Sequence, residues 1–297
     1  MHSRGMNMRL RSGRAPVALE TTLLVHGVPR ESAATLHASL RRIVQGEGAT
    51  PLLVGVVSGC PTVGMTSEEL DELLAATTVP KANTSNLGAL IHGGGHAATT
   101  VSATMELAAA AGVRVFATGG LGGVHRGFGQ RLDISADLGA LARFPVAVVC
   151  SGVKSLLDVE STREALETLG VPVVGLRTER FPAFYLREST AGVDARFDDE
   201  RSLAAFVRFE LGRTGRGIVI AQPAPEEAAL DGATFARWLA QAEEAAGDTA
   251  AGRDATPTIL AQLHRLSGGA TLRANIALVE ANARSAARLA AAMLAQD

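Results

Sequence analysis

Short apolar runs alternate along the chain with stretches in which apolar residues recur at helical spacing. The runs lie at 16–19, 52–57, 113–117, 146–150, 171–176 and 217–221. Several are unbroken, rich in Val and four to six residues long, which is how a strand covered on both faces reads. Helical spacing predicts helices at 30–45, 67–75, 101–111, 136–142, 159–169 and 203–211, with three more closing the chain at 233–246, 256–265 and 272–293. The order is mostly βαβα. It predicts an α/β fold, an α/β/α layered sandwich around a mixed, largely parallel central sheet. Gly112 and Gly170 each fall between a helical pattern and the next strand, where a C-terminal helix cap belongs. The Gly-, Asp- and Thr-rich stretch 246–257 reads as a surface loop. Residues 1–15, basic and polar, read as a flexible tail ahead of a single domain over 16–297.

Composition narrows the function classes. Hydrophobic residues make up 47% and charged residues 20%, enough apolar chain for a large core. A net charge of −2 argues against coating nucleic acid or a membrane surface, but leaves room for a small phosphorylated substrate held by a local patch. The two cysteines, Cys60 and Cys150, form no CxxC motif and no disulfide framework, which favours a reducing cytoplasm. Cys150 ends an apolar run and reads as a small buried hydrophobe. No stretch reads as a signal peptide or reaches the roughly 20 apolar residues of a membrane span.

Ligands of open α/β sheets sit beyond the carboxyl ends of strands, so the residues following each run matter most. Glu20 follows the first run. Lys81 follows Thr78-Val79-Pro80. Thr118 and then Gly119-Gly120-Leu121-Gly122-Gly123-Val124-His125-Arg126 follow another, and Ser151-Gly152-Val153-Lys154-Ser155 follow Cys150. One acid, two lysines and a glycine-rich loop with His and Arg thus converge. Each taken alone has a plainer reading as a strand-end charge, a cap or a tight turn. Four glycines within 119–123 exceed what a turn needs, since each costs backbone entropy. Bared amides in such a loop can cradle an oxyanion. The loop matches neither GxxxxGK[ST] nor GxGxxG, which argues against nucleoside triphosphates and dinucleotides.

Two further clusters have open readings. Gly93-Gly94-Gly95 precede His96, Thr99 and Thr100, and either threonine could cap the helix starting near Val101, a possible phosphate seat. Ser135 or Asp133 could cap the helix at 136–142, while the carboxylates of Asp133 and Asp137 with the Ser135 hydroxyl could instead supply oxygen ligands to Mn²⁺ or Mg²⁺. Thr100 and His125 join the substrate-binding candidates on position alone.

The strings VALETT (17–22), HG (26–27), FATGGLGGVHRG (116–127), DISADL (133–138), SGVKSLLDV (151–159), ETLGVPVVG (167–175), PAFYLR (182–187) and SGGATLRANIALVEANA (267–283) resemble the pseudouridine-5′-phosphate glycosidase family, also known as indigoidine synthase A-like. The resemblance runs from about Pro16 to the C-terminus. It implies an α/β/α fold, a homotrimer, a divalent metal such as Mn²⁺, and reversible cleavage of pseudouridine 5′-phosphate to uracil and ribose 5-phosphate. It also implies roles: Lys154 as nucleophile, Glu20 as proton donor, and Asp133 on the metal. By the same resemblance Lys81, Val101, Ser135, Ala136 and Asp137 hold the sugar phosphate, and Asn275 reads the base edge.

These residue types suit the chemistry. A C–C glycosidic bond offers no heteroatom to protonate, so hydrolysis by two carboxylates alone fails. A lysine amine can instead capture C1′ as an imine, an electron sink that lets the bond break. The amine must be neutral, a state favoured by burial and by a nearby cation such as Lys81. The chain departs from the family pattern at Val28-Pro29-Arg30-Glu31-Ser32, which lacks the usual aromatic residue and Asn, and at Ala82-Asn83-Thr84-Ser85-Asn86, which lacks the usual arginines. A C-glycoside synthase joining ribose 5-phosphate to an aromatic or heterocyclic acceptor is therefore an alternative. A non-catalytic sugar-phosphate-binding protein is a second one.

Overall fold

The computed structural model describes residues 7–127, 129, 132–246 and 255–295. Its strands are β1 (Arg9–Leu10), β2 (Pro16–Glu20), β3 (Thr50–Val57), β4 (Cys60–Val63), β5 (Lys81–Ala82), β6 (Ala97–Thr99), β7 (Val115–Ala117), β8 (Val124–His125), β9 (Ala147–Cys150), β10 (Leu157–Asp158), β11 (Val173–Leu176), β12 (Ala195–Phe197) and β13 (Ile218–Ala221). The helices are α1 (Thr21–His26), α2 (Arg30–Gly46), α3 (Ser67–Ala75), α4 (Leu87–His92), α5 (Val101–Ala110), α6 (Ala136–Leu141), α7 (Val159–Thr168), α8 (Glu200–Thr214), α9 (Gly232–Ala246), α10 (Ala255–Leu266) and α11 (Ala270–Leu294). All six expected strands and all nine expected helices are present.

Eleven strands form one sheet in the order β1-β4-β3-β2-β7-β9-β13-β11-β12, with β6 and β5 branching from β3. From β3 to β12 every pairing along that row is parallel. Alternate residues of each strand feed two cores. Val17, Leu19, Val115, Ala117, Ile218 and Ile220 pack against α2, α8 and α11, while Ala18, Phe116, Val148 and Val219 pack against α5, α6 and α7. Both faces are covered, which explains why the runs are apolar throughout rather than alternating. The layering is α/β/α.

Gly112 and Gly170 end their helices as expected. Each has positive φ. In the first, Gly112 N–H reaches Ala109 O at 3.1 Å and Val113 N–H reaches Ala108 O at 2.8 Å; the second repeats the pattern from Gly170 and Val171 to Glu167 and Leu166. These are paired bonds of the Schellman type.

Three expectations change. Residues 1–15 are not wholly a free tail: Arg9 and Leu10 pair in parallel with Thr62 and Val63, and Arg11 grips Glu69 at 2.8 and 3.1 Å. The edge of β4 offered unpaired backbone groups, and the arginines found a carboxylate there. Residues 1–6 lie outside the described set. Most of the expected loop at 246–257 also lies outside it, and Ala255, Thr256 and Pro257 open α10. The unexpected helix α1 carries Thr-Thr-Leu-Leu-Val, a β-favouring string that reads as a continuation of the strand before it.

His37 on α2 is 5% exposed, and burial first and Arg41 second lower its pKa to about 4, against a smaller opposing pull from Asp71. Its unfolded pKa is near 6.5, so the unfolded chain binds the extra proton between pH 6.5 and about 4. Stability is therefore full above that window and falls as pH drops through it, by up to about 3 kcal/mol. Chemical denaturation from pH 7 to pH 4.5 should show this loss, and His37→Gln should flatten it.

Candidate active site

The chain turns one way from β2, through α2 to β3, and crosses β2 the other way from β6, through α5 to β7. The order of the sheet therefore reverses between β2 and β7, where open α/β sheets leave a crevice at their carboxyl edge. Glu20 is the last residue of β2. Thr118 follows β7, and its hydroxyl donates to Glu20 Oε1; both residues are buried.

A further feature locates Glu20. β3 runs beyond β2, which stops at the Glu20–Val54 pair, and β6 takes up the freed edge through Gly55–Ala98 and Val56–Ala97. β5 then pairs Lys81 with Ala98. Four threonine-centred bonds fasten the junction. Thr21 and Thr99 hydroxyls donate to Val54 O at 2.9 and 2.7 Å, Thr99 N–H donates to Thr21 Oγ1 at 2.8 Å, and the Thr104 hydroxyl donates to Thr99 Oγ1 at 2.9 Å. All three threonines are fully buried, so each hydroxyl needs these partners.

Burial pushes the Glu20 carboxyl above its ordinary range. Lys154, the Thr118 hydroxyl and Lys81 pull it back, while Asp137 adds to the rise. Lys81 is displaced the other way: burial and Lys154 lower it, and Glu20 opposes them. Glu20, Lys154, Lys81 and Asp137 thus act on one another at one place, as the convergence of strand ends predicted. Lys154 itself is exposed, not buried as expected.

Asp137 has a different position from that of an open metal ligand. It is 4% exposed, and its two oxygens accept from Ser102 N–H at 2.9 Å and Gly122 N–H at 2.8 Å. Its carboxylate thus caps α5 from outside. Neither Thr99 nor Thr100 does so: Thr100 turns its hydroxyl toward Ser102 Oγ, 3.1 Å away. Val101 opens α5 and is buried. Nor does the Gly93–Gly95 cluster lead into α5, because β6 intervenes. Ser135 caps α6, accepting from Asp137 N–H at 3.2 Å, and Ala136 is the first residue of that helix.

The glycine-rich loop also proves to be something else. Its amides are largely spent inside the protein: Leu121 N–H on Gly152 O, Gly122 N–H on Asp137, Val124 N–H on Thr162 and His125 N–H on Asp133 O. The glycines serve close packing. A Cβ on Gly122 would meet Ser135 Oγ at 2.2 Å and Asp137 Oδ2 at 2.8 Å. The facing loop does the same: a Cβ on Gly152 would sit 1.8 Å from Pro182 O, at a φ of +74°. Gly152→Ala should therefore cost about 3 kcal/mol or more, from collision and left-handed backbone together, read as a loss in urea midpoint at constant m.

That packing laces the two loops. Ser151 N–H donates to Gly119 O, Leu121 N–H to Gly152 O, and Lys154 N–H to Leu121 O, at 2.9 to 3.0 Å. Beyond them β8 and β10 pair antiparallel, setting His125 opposite Leu157. Lys154 is thereby held on a braced loop rather than a free one.

His125 and Asp133 stand slightly apart. His125 Nδ1 lies 3.8 Å from Asp133 Oδ2, and the Asp133 side chain is 59% exposed. Among the described residues no three His, Cys, Asp or Glu side chains gather as a metal cage. An exposed carboxylate suits a divalent ion that keeps most of its water or shares phosphate oxygens. Asn275, on α11, is 7% exposed and donates to Gly27 O at 3.3 Å, while its Oδ1 has no partner. Cys150 is fully buried, and burial pushes its thiol up to about 12, in keeping with a packing role.

One residue escaped the sequence reading. Asn282 on α11 is fully buried, and its Nδ2 donates to Thr118 O at 2.9 Å and Ser151 Oγ at 3.1 Å. A faint signal existed: Asn275 and Asn282 stand seven apart on an Ala- and Leu-rich helix, hence on its buried face.

Known proteins resemble this chain over nearly its whole length. The family model described as indigoidine synthase A like protein matches residues 6–292. A pseudouridine-5′-phosphate glycosidase of Methylobacterium nodulans is 46% identical over 96% of this chain and 85% of its own length. One of Hahella chejuensis is 45% identical over 96% and 95%. Among solved structures, the prealnumycin C-glycosynthase AlnA in complex with ribulose 5-phosphate superposes with a TM-score of 0.88 at 34% identity, covering 94% of this chain and 92% of that one. An indigoidine synthase A-like protein of Thermotoga maritima gives 0.88 at 33%, covering 98% of each. With its fold and nearly its whole length matched, the chain belongs to the indigoidine synthase A-like family.

Proposed function

We propose that the protein is a pseudouridine-5′-phosphate glycosidase, an enzyme that reversibly splits the bond between C1′ of the sugar phosphate and C5 of uracil. The observation that carries this is the pairing of a buried carboxyl, Glu20, whose pKa burial raises, with two lysines at the same crevice. A binding protein needs no such acid. The Glu20 proton goes to the ring oxygen as Lys154 Nζ bonds to C1′ and the C1′–O bond opens. Glu20 takes the proton shed by Nζ and passes it to C5 as the C1′–C5 bond breaks. The electron pair of that bond stays on C5, and the nitrogen lone pair forms the C1′=N bond. Water releases ribose 5-phosphate and returns the amine.

The remaining residues divide the binding. Lys81, Thr100, Val101, His125 and the Ser135-Ala136-Asp137 segment surround the sugar phosphate, with Asp137 acting by fixing α5 against the loop at Gly122. The unpartnered Oδ1 of Asn275 suits an N–H on the base edge. Asp133, with His125 beside it, suits Mn²⁺ or a similar divalent ion, which when bound supplies positive charge to the phosphate. The active form is a cytoplasmic homotrimer in this reading. Among the described residues no helix is long and apolar enough to cross a membrane.

A second reading has one observation behind it: the 0.88 TM-score to a C-glycosynthase bound to ribulose 5-phosphate. It makes the reaction a synthesis on a ring other than uracil. Incubation with ribose 5-phosphate, Mn²⁺ and uracil separates the two. The first reading expects pseudouridine 5′-phosphate, lost on chelation and restored by Mn²⁺. Imine formation without that product would move the assignment to the synthase.

A further inference from the structure

We propose that Asn282 is a positioning residue, a clamp that sets Glu20 and its partner Thr118 against the loop carrying Lys154. The proposal rests on the catalytic roles given above for Glu20 and Lys154.

Asn282 lies in the middle of α11 and touches neither Glu20 nor Lys154 in any hydrogen bond of the structure. It touches the elements that carry them. Its Nδ2 donates to Thr118 O at 2.9 Å and leans toward Gly119 O at 3.4 Å; these two residues follow β7. The same nitrogen donates to Ser151 Oγ at 3.1 Å, and the Ser151 hydroxyl lies 3.4 Å from Asn282 Oδ1; Ser151 follows β9 and stands three residues before Lys154. Two carbonyl oxygens can only accept, so the amide must present its NH₂ to them. That fixes its orientation and leaves Oδ1 toward the serine. Thr118, Ser151 and Asn282 are all fully buried. No water competes for these bonds, and Thr118 O would lose the Asn282 donor without them.

The consequence reaches the acid. Thr118 is held by its backbone to Asn282 and by its hydroxyl to Glu20. That hydroxyl favours the charged carboxylate and partly offsets burial. If the Thr118 backbone relaxes, the hydroxyl leaves Glu20, and the carboxyl is left with burial less opposed. On the other side, Ser151 is already tied to Gly119 by its own N–H. Releasing Ser151 Oγ loosens the Lys154 loop without touching Glu20.

The test uses the full chain and reads both sides separately. Glu20 is titrated in free protein by ¹³C-glutamate NMR, with Glu20→Gln giving the assignment. In Asn282→Leu, the Glu20 midpoint should rise by about one pH unit. Turnover should fall by about 10²-fold, with KM for the sugar phosphate within about twofold. A Glu20 midpoint equal to wild type would overturn the proposal, whatever happens to the melting temperature. Ser151→Ala is the milder variant. Borohydride trapping of ribose 5-phosphate on Lys154 should slow by about threefold or more while the Glu20 midpoint stays fixed. Unchanged trapping would overturn the Lys154 half of the clamp. The titration needs no substrate, so it stands even if wild type traps no sugar, a result that counts against the catalytic reading alone.

Discussion

Replacing Lys154 with methionine should lower turnover of the C-glycoside by at least about 10⁴-fold, because in the proposed mechanism the covalent bond to C1′ forms at Lys154 Nζ. The variant should still bind ribose 5-phosphate, since the proposed sugar-phosphate contacts lie on α5, α6, β5 and β8. Arginine should fail as badly as methionine. Its guanidinium stays protonated and offers no lone pair. The lysine loop is laced to its neighbour by backbone bonds and not by the Lys154 side chain, so the melting temperature should barely move. Rate assays, a ribose 5-phosphate binding titration and melting curves check these four statements.

Glu20→Gln should produce the second large effect, with opposite signs on activity and stability. Activity should drop by about 10²–10⁴-fold with loss of the proton donor. Stability should rise at neutral pH. The folded chain keeps the Glu20 proton at pH values where the unfolded chain, near its ordinary 4.5, has lost it. Folding is then progressively disfavoured as pH climbs from about 4.5 toward the raised value. Glutamine keeps the shape and the Thr118 contact without that cost. The gain over wild type should be absent below pH 4.5 and grow above it. A glutamine variant no more stable than wild type at pH 8 would contradict the buried-acid assignment.

The sheet was legible because its chemistry is local. Strands covered on both faces must be apolar at every position, and Val146 to Cys150 is. Helix α3 was legible to the residue, since its Thr66–Glu69 capping box marks the start. The convergence of Glu20, Lys81 and Lys154 followed from the rule that ligands gather at strand ends. What stayed hidden depends on distant partners. β6 is three residues long and exists because β3 outruns β2, a mismatch no local pattern records. Asp137 looked like an oxygen ligand for a metal. It is instead a bridge, because Ser102 and Gly122, 35 and 15 residues away in the chain, bring their amides to it. The glycines of 119–123 looked like an anion cradle, and they are small because Ser135, Thr162 and Phe184 press on them. Composition shows that small residues are needed there; only the fold shows what crowds them.

The covalent step at Lys154 is the claim on which the rest depends. Incubation of the full-length protein with ribose 5-phosphate and sodium borohydride, followed by peptide mass spectrometry, tests it directly. The predicted result is a reduced ribose-phosphate adduct on Lys154, absent in Lys154→Met. An unmodified Lys154, or an adduct carried by Lys81 instead, would contradict it.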